Sequence, residues 1–261
     1  MAKKTVPPTR FPDAVAVSYS RAIRQLVREM GKETLSIYDS LIKNEIIIYS
    51  RADSRGFVMD GPFDVIKNAL GRIKSAAANA FSKRRVNTLV SSFVKNLNQV
   101  NKKNMQQQGR VRGIDPTQGE NWLDTFMQEA VEKNVGYITN IHDTFTEKIE
   151  DIILNGVKNG DGYKQIRKQL VEQVGMSHRR AQFIAVDQSG TLFGQMTAKR
   201  HQNMGVNRFK WRTSKDERVR DSHKILENKI FSYDDPPKVG LPGEDFHCRC
   251  IALPVFDDDD E

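Results

Sequence analysis

Residues 207–214 read NRFKWRTS, and with them the helical texture that runs through most of the chain stops. Phe209 and Trp211 alternate with Arg208, Lys210 and Arg212, the period of two that puts apolar side chains on one face of a strand. Further on, CIALPVF (250–256) has the same look, KDERVRDSHKIL (215–226) reads as a helix and SYDDPPKVGLPGEDF (232–246) as a loop. The expectation is a mainly α protein with a small α+β C-terminal domain.

Upstream, apolar residues recur at three- and four-residue steps. From Ala14 to about Ser50 the stripe is Tyr19, Ile23, Leu26, Val27, Met30, Ile37, Leu41 and Ile48, with Asp13 as N-cap. RADSRGFVMDGP (51–62) interrupts it with Gly56, Gly61 and Pro62. The period then resumes over 63–100, with Leu70, Ile73, Phe81, Leu89, Phe93 and Leu97 as the buried stripe. MQQQGRVRGIDPTQG (105–119) reads as a linker, and residues 120–157 as another long helix. Two turn signals follow, Asn159-Gly160-Asp161-Gly162 and Gly175-Met176-Ser177, each leading into a shorter helix, the second capped by Ser177. No solenoid period is visible, so the long amphipathic helices should form an N-terminal bundle or arm.

These signals divide the chain into an extension (1–12), a long-helix region (13–158) containing a basic segment (64–112), an α+β domain (160–256) and an acidic tail (257–261).

Of the 261 residues 38% are hydrophobic, low for one compact globule, and the net charge is +8 with a pI near 9.4. Such a charge favours polyanionic partners. It is concentrated where Lys67, Arg72, Lys74, Lys83, Arg84, Arg85, Lys95, Lys102, Lys103, Arg110 and Arg112 surround the single acid Asp64. Lys83, Arg84, Arg85, Lys102, Lys103, Arg110 and Arg112 are the candidate contacts to double-stranded DNA, with a merely solvated helix face as the alternative. No stretch reaches the 18 or so apolar residues of a membrane span, and MAKKTVPPTRFPD lacks a signal-peptide core. No membrane is expected, and a cytoplasm-like setting is.

The chain has two cysteines, Cys248 and Cys250, inside DFHCRCIALP (245–254). One intervening residue strains a mutual disulfide and does not match C-x-x-C redox spacing. If 247–252 is a strand, Cys248 and Cys250 face one side, while His247 and Arg249 face the other. His223, His247, Cys248 and Cys250 are then the available metal donors, but they do not make a complete zinc set. Small buried thiols against Trp211 and Phe231 are the expected state, with zinc the alternative. In the helix expected over 215–226, Thr213 or Ser214 would open a capping box with Asp216 or Glu217, and Asp216, Arg220 and His223 would share a side.

Trp211, Thr213, Asp216, Arg218, Val219, Arg220, His223, Leu226, Phe231, Pro242, His247, Cys248, Arg249, Cys250 and Pro254 stand in an order that resembles the phage Mu protein F-like head morphogenesis family over about residues 178–254. The chain departs from the family pattern at Ala185-Val186-Asp187-Gln188 and at Glu227-Asn228. The resemblance implies a minor capsid protein in few copies, acting near the portal with portal and major capsid proteins as partners. It implies residence in the virion after assembly in the host cytoplasm, and no enzymatic activity. The competing reading is a His/Cys metal-dependent nuclease or a DNA-binding protein unrelated to the capsid. Against the nuclease, the His-x-Glu and His-Asn-His spacings are absent.

Overall fold

The computed structural model describes residues 6–51 and 60–256. Helices α1 (Asp13–Ile37), α2 (Lys43–Arg51), α3 (Asp60–Ala80), α4 (Lys83–Gly109), α5 (Leu123–Lys158) and α6 (Tyr163–Asn203) precede strand β1 (Arg208–Arg212), short helix α7 (Asp221–Lys224), and strands β2 (Ile230–Ser232) and β3 (Ile251–Val255). The mainly α chain with a small C-terminal sheet is therefore as the sequence implied. Most of the break expected at 51–62 and all of the acidic tail lie outside the described residues.

The chain folds as two compact units. One comprises Met1–Ser20, Val90–Asn134 and Phe183–Glu261, the other Arg21–Leu89 and Val135–Gln182.

In the second unit the α1 stripe is buried as far as Met30, after which the phase moves. Met30, Thr34, Tyr38, Ile42 and Ile46 are buried at steps of four, while Ile37 and Leu41 are only half-buried. The helix absorbs this through a π turn at Tyr38–Ile42, wider than the 3.6 residues of an α turn. The helix expected over 63–100 is also two helices. Ser82 accepts from the Val86 N–H at 3.0 Å and starts α4, so Val86 and Val90 are buried where Leu89 was expected. Exposed or half-exposed ion pairs Arg85–Glu29, Lys74–Glu150 and Arg167–Asp39 decorate this unit, each at 2.7–2.8 Å. Ser177 is no cap: α6 runs straight through it, and its hydroxyl donates to the Gln173 carbonyl at 3.1 Å. The preceding turn is present, with Gly160 at φ 74°.

In the first unit the three strands form an antiparallel sheet in the order β2-β1-β3. β1 pairs Trp211 with Ala252 and Arg212 with Ile251, and Phe209 with Phe231 on its other edge. The core beneath it joins Phe209, Trp211, Cys248, Cys250 and Ala252, with Phe231 and Leu226 packed against them. The residues expected as a linker at 105–119 begin as helix to Gly109, then turn at Gly113 in the left-handed region.

The unit also buries polar groups in matched networks. Arg200, fully buried, gives hydrogen bonds to Glu120 at 2.6 and 3.2 Å, to Asn101 at 2.7 Å and to Asn98 at 2.7 Å. His201 lies between the Tyr233 hydroxyl and Gln108 Oε1. An amide oxygen only accepts, so His201 Nε2 carries the hydrogen and Nδ1 accepts from Tyr233. The Gln108 amide continues the chain by donating to Thr9 at 2.6 Å and to the Pro7 carbonyl at 3.2 Å. The N-terminal segment is thus held by α4.

Candidate metal centre

The backbone around the cysteines departs from the expected strand and helix. β1 ends at Arg212, whose partner is Ile251, so residues before 251 have no strand to pair with. His247 instead adopts a left-handed φ of 56°, and the Cys248 N–H turns back to the Asp245 carbonyl at 2.9 Å. The inward-outward alternation survives this correction: Cys248 and Cys250 are buried, Arg249 is half-buried and His247 exposed.

Residues 215–226 form a helix only at Asp221–Lys224. Lys215 is left-handed, and the Asp216 carboxylate accepts the Arg218 N–H at 3.0 Å, a local turn that competes with helix. No capping box forms there. The Thr213 N–H goes to Glu227 at 2.6 Å.

Loop 240–250 lies directly on α6. A Cβ at Gly194 would meet the Pro242 carbonyl oxygen at 2.2 Å, and one at Gly190 would meet the Cys248 carbonyl oxygen at 2.6 Å. Gly243 faces Gly190 with φ +100°, so three glycines let two backbones touch. Gln195 donates to Glu244 at 3.0 Å, and the His247 N–H donates to Asp187 at 3.0 Å, which fixes the middle of the loop. The Gly190-x-x-x-Gly194 spacing was a readable signal for this contact that periodicity alone passes over.

Loop and short helix bring His223, Cys248 and Cys250 together. Their donor atoms lie within 4.8 Å of one another, and all three residues are buried. His223 Nδ1 is 3.5 Å from each sulfur. Its Nε2 is 2.9 Å from Asp245 Oδ2. A carboxylate accepts, so Nε2 carries the hydrogen, and in the neutral ring the Nδ1 lone pair points at the sulfurs. Trp211 meets the imidazole edge-on at 5.5 Å.

The two thiols titrate in opposite senses. Cys248 is pushed below the ordinary thiol value, first by the hydrogen bond from the Cys250 thiol, against the opposing effect of burial. The backbone N–H groups of Cys250 and Gly243 assist, the former at 3.4 Å from the sulfur. Cys250 is pushed up, first because it gives that bond and then by burial.

Of the four donors expected from the sequence, the structure gathers three. His247 is not among them: its ring stacks on Phe183 at 4.6 Å. The acid that orients His223 is Asp245 and not Asp216. Asp245 also takes Arg220, whereas Asp216 pairs with Arg249 and Arg218. Asp245 stands two residues before His247, and its role becomes legible only once the loop folds back. The seven basic candidates on and after α4 are all exposed, though Arg85 pairs with Glu29 and Arg112 stacks on Phe256 at 4.8 Å.

The arrangement sits wholly within a segment that known proteins share. Residues 147–253 match the Phage Mu protein F like protein family. The match starts inside α5, earlier than the resemblance read from the motif, and takes in Trp211, Asp216, Arg218, Arg220 and His223 together with residues 247–250. An uncharacterized protein of Haemophilus influenzae is 34% identical over 129 residues, 49% of this chain and 29% of that protein. The minor head protein GP7 of Bacillus phage SPP1 is 24% identical over 152 residues, 50% of this chain and 49% of GP7. A protein of Enterococcus faecalis named NAD(+)--arginine ADP-ribosyltransferase EFV is 25% identical over 130 residues, 27% of its length. The chain spans less than half of each of these relatives. No solved structure matches.

Proposed function

We propose that this chain is a minor head protein of a tailed phage, built into the capsid in few copies beside the portal. The observation that carries this reading is the similarity to GP7, a minor head protein, over about half of both chains. The Phage Mu protein F like match over the C-terminal segment supports it. Long amphipathic helices with exposed charged faces suit contacts with portal and major capsid subunits, and no described helix is long and apolar enough to cross a membrane. In this reading the protein assembles in the host cytoplasm, ends in the virion and has a structural role. The ADP-ribosyltransferase name belongs to a relative of which only 27% is matched.

Purified particles test the reading. Mass spectrometry of DNA-filled heads should find the chain at a small fraction of the major capsid protein's copy number, and loss of its gene should reduce filled heads. A chain absent from purified heads would sink it.

We further propose that the cations on α4 and in the turn after it touch the packaged DNA. Lys83, Arg84, Lys102, Lys103 and Arg110 are exposed, and contacts to phosphates would show as salt-dependent affinity. Gel shifts should lose about 0.9 log units of affinity per log of salt for each phosphate neutralised. A flat salt series would remove DNA from the partners.

A further inference from the structure

We propose that His223 Nδ1, Cys248 Sγ and Cys250 Sγ bind a divalent transition metal, zinc by donor type, as a clamp that locks loop 240–250 to α7. This inference does not depend on the capsid reading.

Hydrogen bonding alone does not explain the geometry. One ring nitrogen has one lone pair, yet two sulfurs stand at the same 3.5 Å from it. A tetrahedral zinc with bonds of about 2.3 Å to sulfur and about 2.0–2.1 Å to nitrogen sets sulfur-to-nitrogen edges of about 3.6 Å. Both observed separations fit that edge. A cation shared between the three atoms therefore accounts for a symmetry that a single S–H···N bond does not.

The surroundings are those of a ligand set. Asp245 fixes the His223 tautomer from the far nitrogen, the arrangement that holds and enriches metal-ligating imidazoles. The Cys250 backbone N–H points to the Cys248 sulfur at 3.4 Å, as suits a thiolate ligand. The Trp211 indole N–H is buried there without a hydrogen-bond partner. Among the described residues no fourth His, Cys, Asp or Glu joins the group, so a tetrahedral ion would take its fourth ligand from outside that set.

The ion would join two pieces of chain: α7 through His223, and the end of loop 240–250 that leads into β3 through Cys248 and Cys250. Binding requires loss of the thiol protons to solvent, so affinity rises with pH. Asp245 acts as a positioning residue.

The test uses the full chain purified without a histidine tag. Metal analysis should find stoichiometric zinc, and Co2+ exchanged into the site should show sulfur-to-cobalt charge transfer in the near ultraviolet. Cys248→Ser and Cys250→Ser should each lose about half of that band, one thiolate of two. Asp245→Asn, which removes no ligand, should keep the helical circular dichroism and weaken metal affinity about 10- to 100-fold in competition with a chromophoric chelator. The proposal is overturned if the folded wild-type chain carries no metal and excess Co2+ gives no charge-transfer band. It is equally overturned if Cys248→Ser leaves the band unchanged.

Discussion

At the scale of single residues, two buried groups in the first unit make sharp predictions. Burial pushes His201 from 6.5 down to about 3, so the folded ring stays neutral while an unfolded one takes up a proton below 6.5. The stabilising contribution is complete above pH 6.5 and is lost as pH falls toward 3, by up to about 1.4 kcal/mol per pH unit. Urea titrations from pH 8 to pH 4 should show that slope, and His201→Gln should flatten it. Arg200 with Glu120 is a second case, side chains 0% and 7% exposed. Removing the acid leaves a buried guanidinium whose two Asn partners carry no charge. Glu120→Ala should therefore lose about 3–5 kcal/mol of unfolding free energy by urea denaturation. The double variant Arg200→Met with Glu120→Leu should recover much of that loss. Neither network could be read from the sequence, where His201 and Arg200 are simply the charged end of a helix and Glu120 lies beyond a linker.

At the scale of elements, α6 matters most because it carries the loop that holds the cysteines. Gly194→Val places a Cβ where the Pro242 carbonyl already sits, and backbone has no rotamer with which to move away. That variant should lose about 1–3 kcal/mol or more, with Cys248 and Cys250 becoming accessible to a thiol reagent. Gly136 on α5 has open space around its would-be Cβ and an ordinary helical backbone. Gly136→Ala should instead gain about 0.5–1 kcal/mol, read as a raised denaturant midpoint. Stripes at three and four residues located the helices because burial follows periodicity. The α3–α4 break was missed because Phe81 continues the apolar pattern, and its only local sign is Ser82, a good N-cap. The π turn was missed because runs of apolar residues at steps of four also fit an α-helix.

For the whole molecule, the clamp predicts that stability depends on metal. If the free ion exceeds its dissociation constant about 1,000-fold, binding stabilises by about 4 kcal/mol. Stripping it with a strong chelator should then lower the melting temperature by roughly 10 °C, reversed by added zinc. An unchanged melting curve with metal shown to be gone would leave the site without a structural role.

The sequence by itself determined the helical class, the positions of β1 and β3, and the inward placement of both cysteines, since these follow from local periodicity and residue type. It also carried the family motif, which depends on order along the chain and not on contacts. The tertiary structure decided which of the motif residues meet. Asp245 replaced Asp216 beside His223 because loop 240–250 folds against the glycines of α6. Donor sets are assembled by chain reversal over distances that periodicity does not encode, so the meeting of His223 with both cysteines, and the acid that orients it, became visible only in three dimensions.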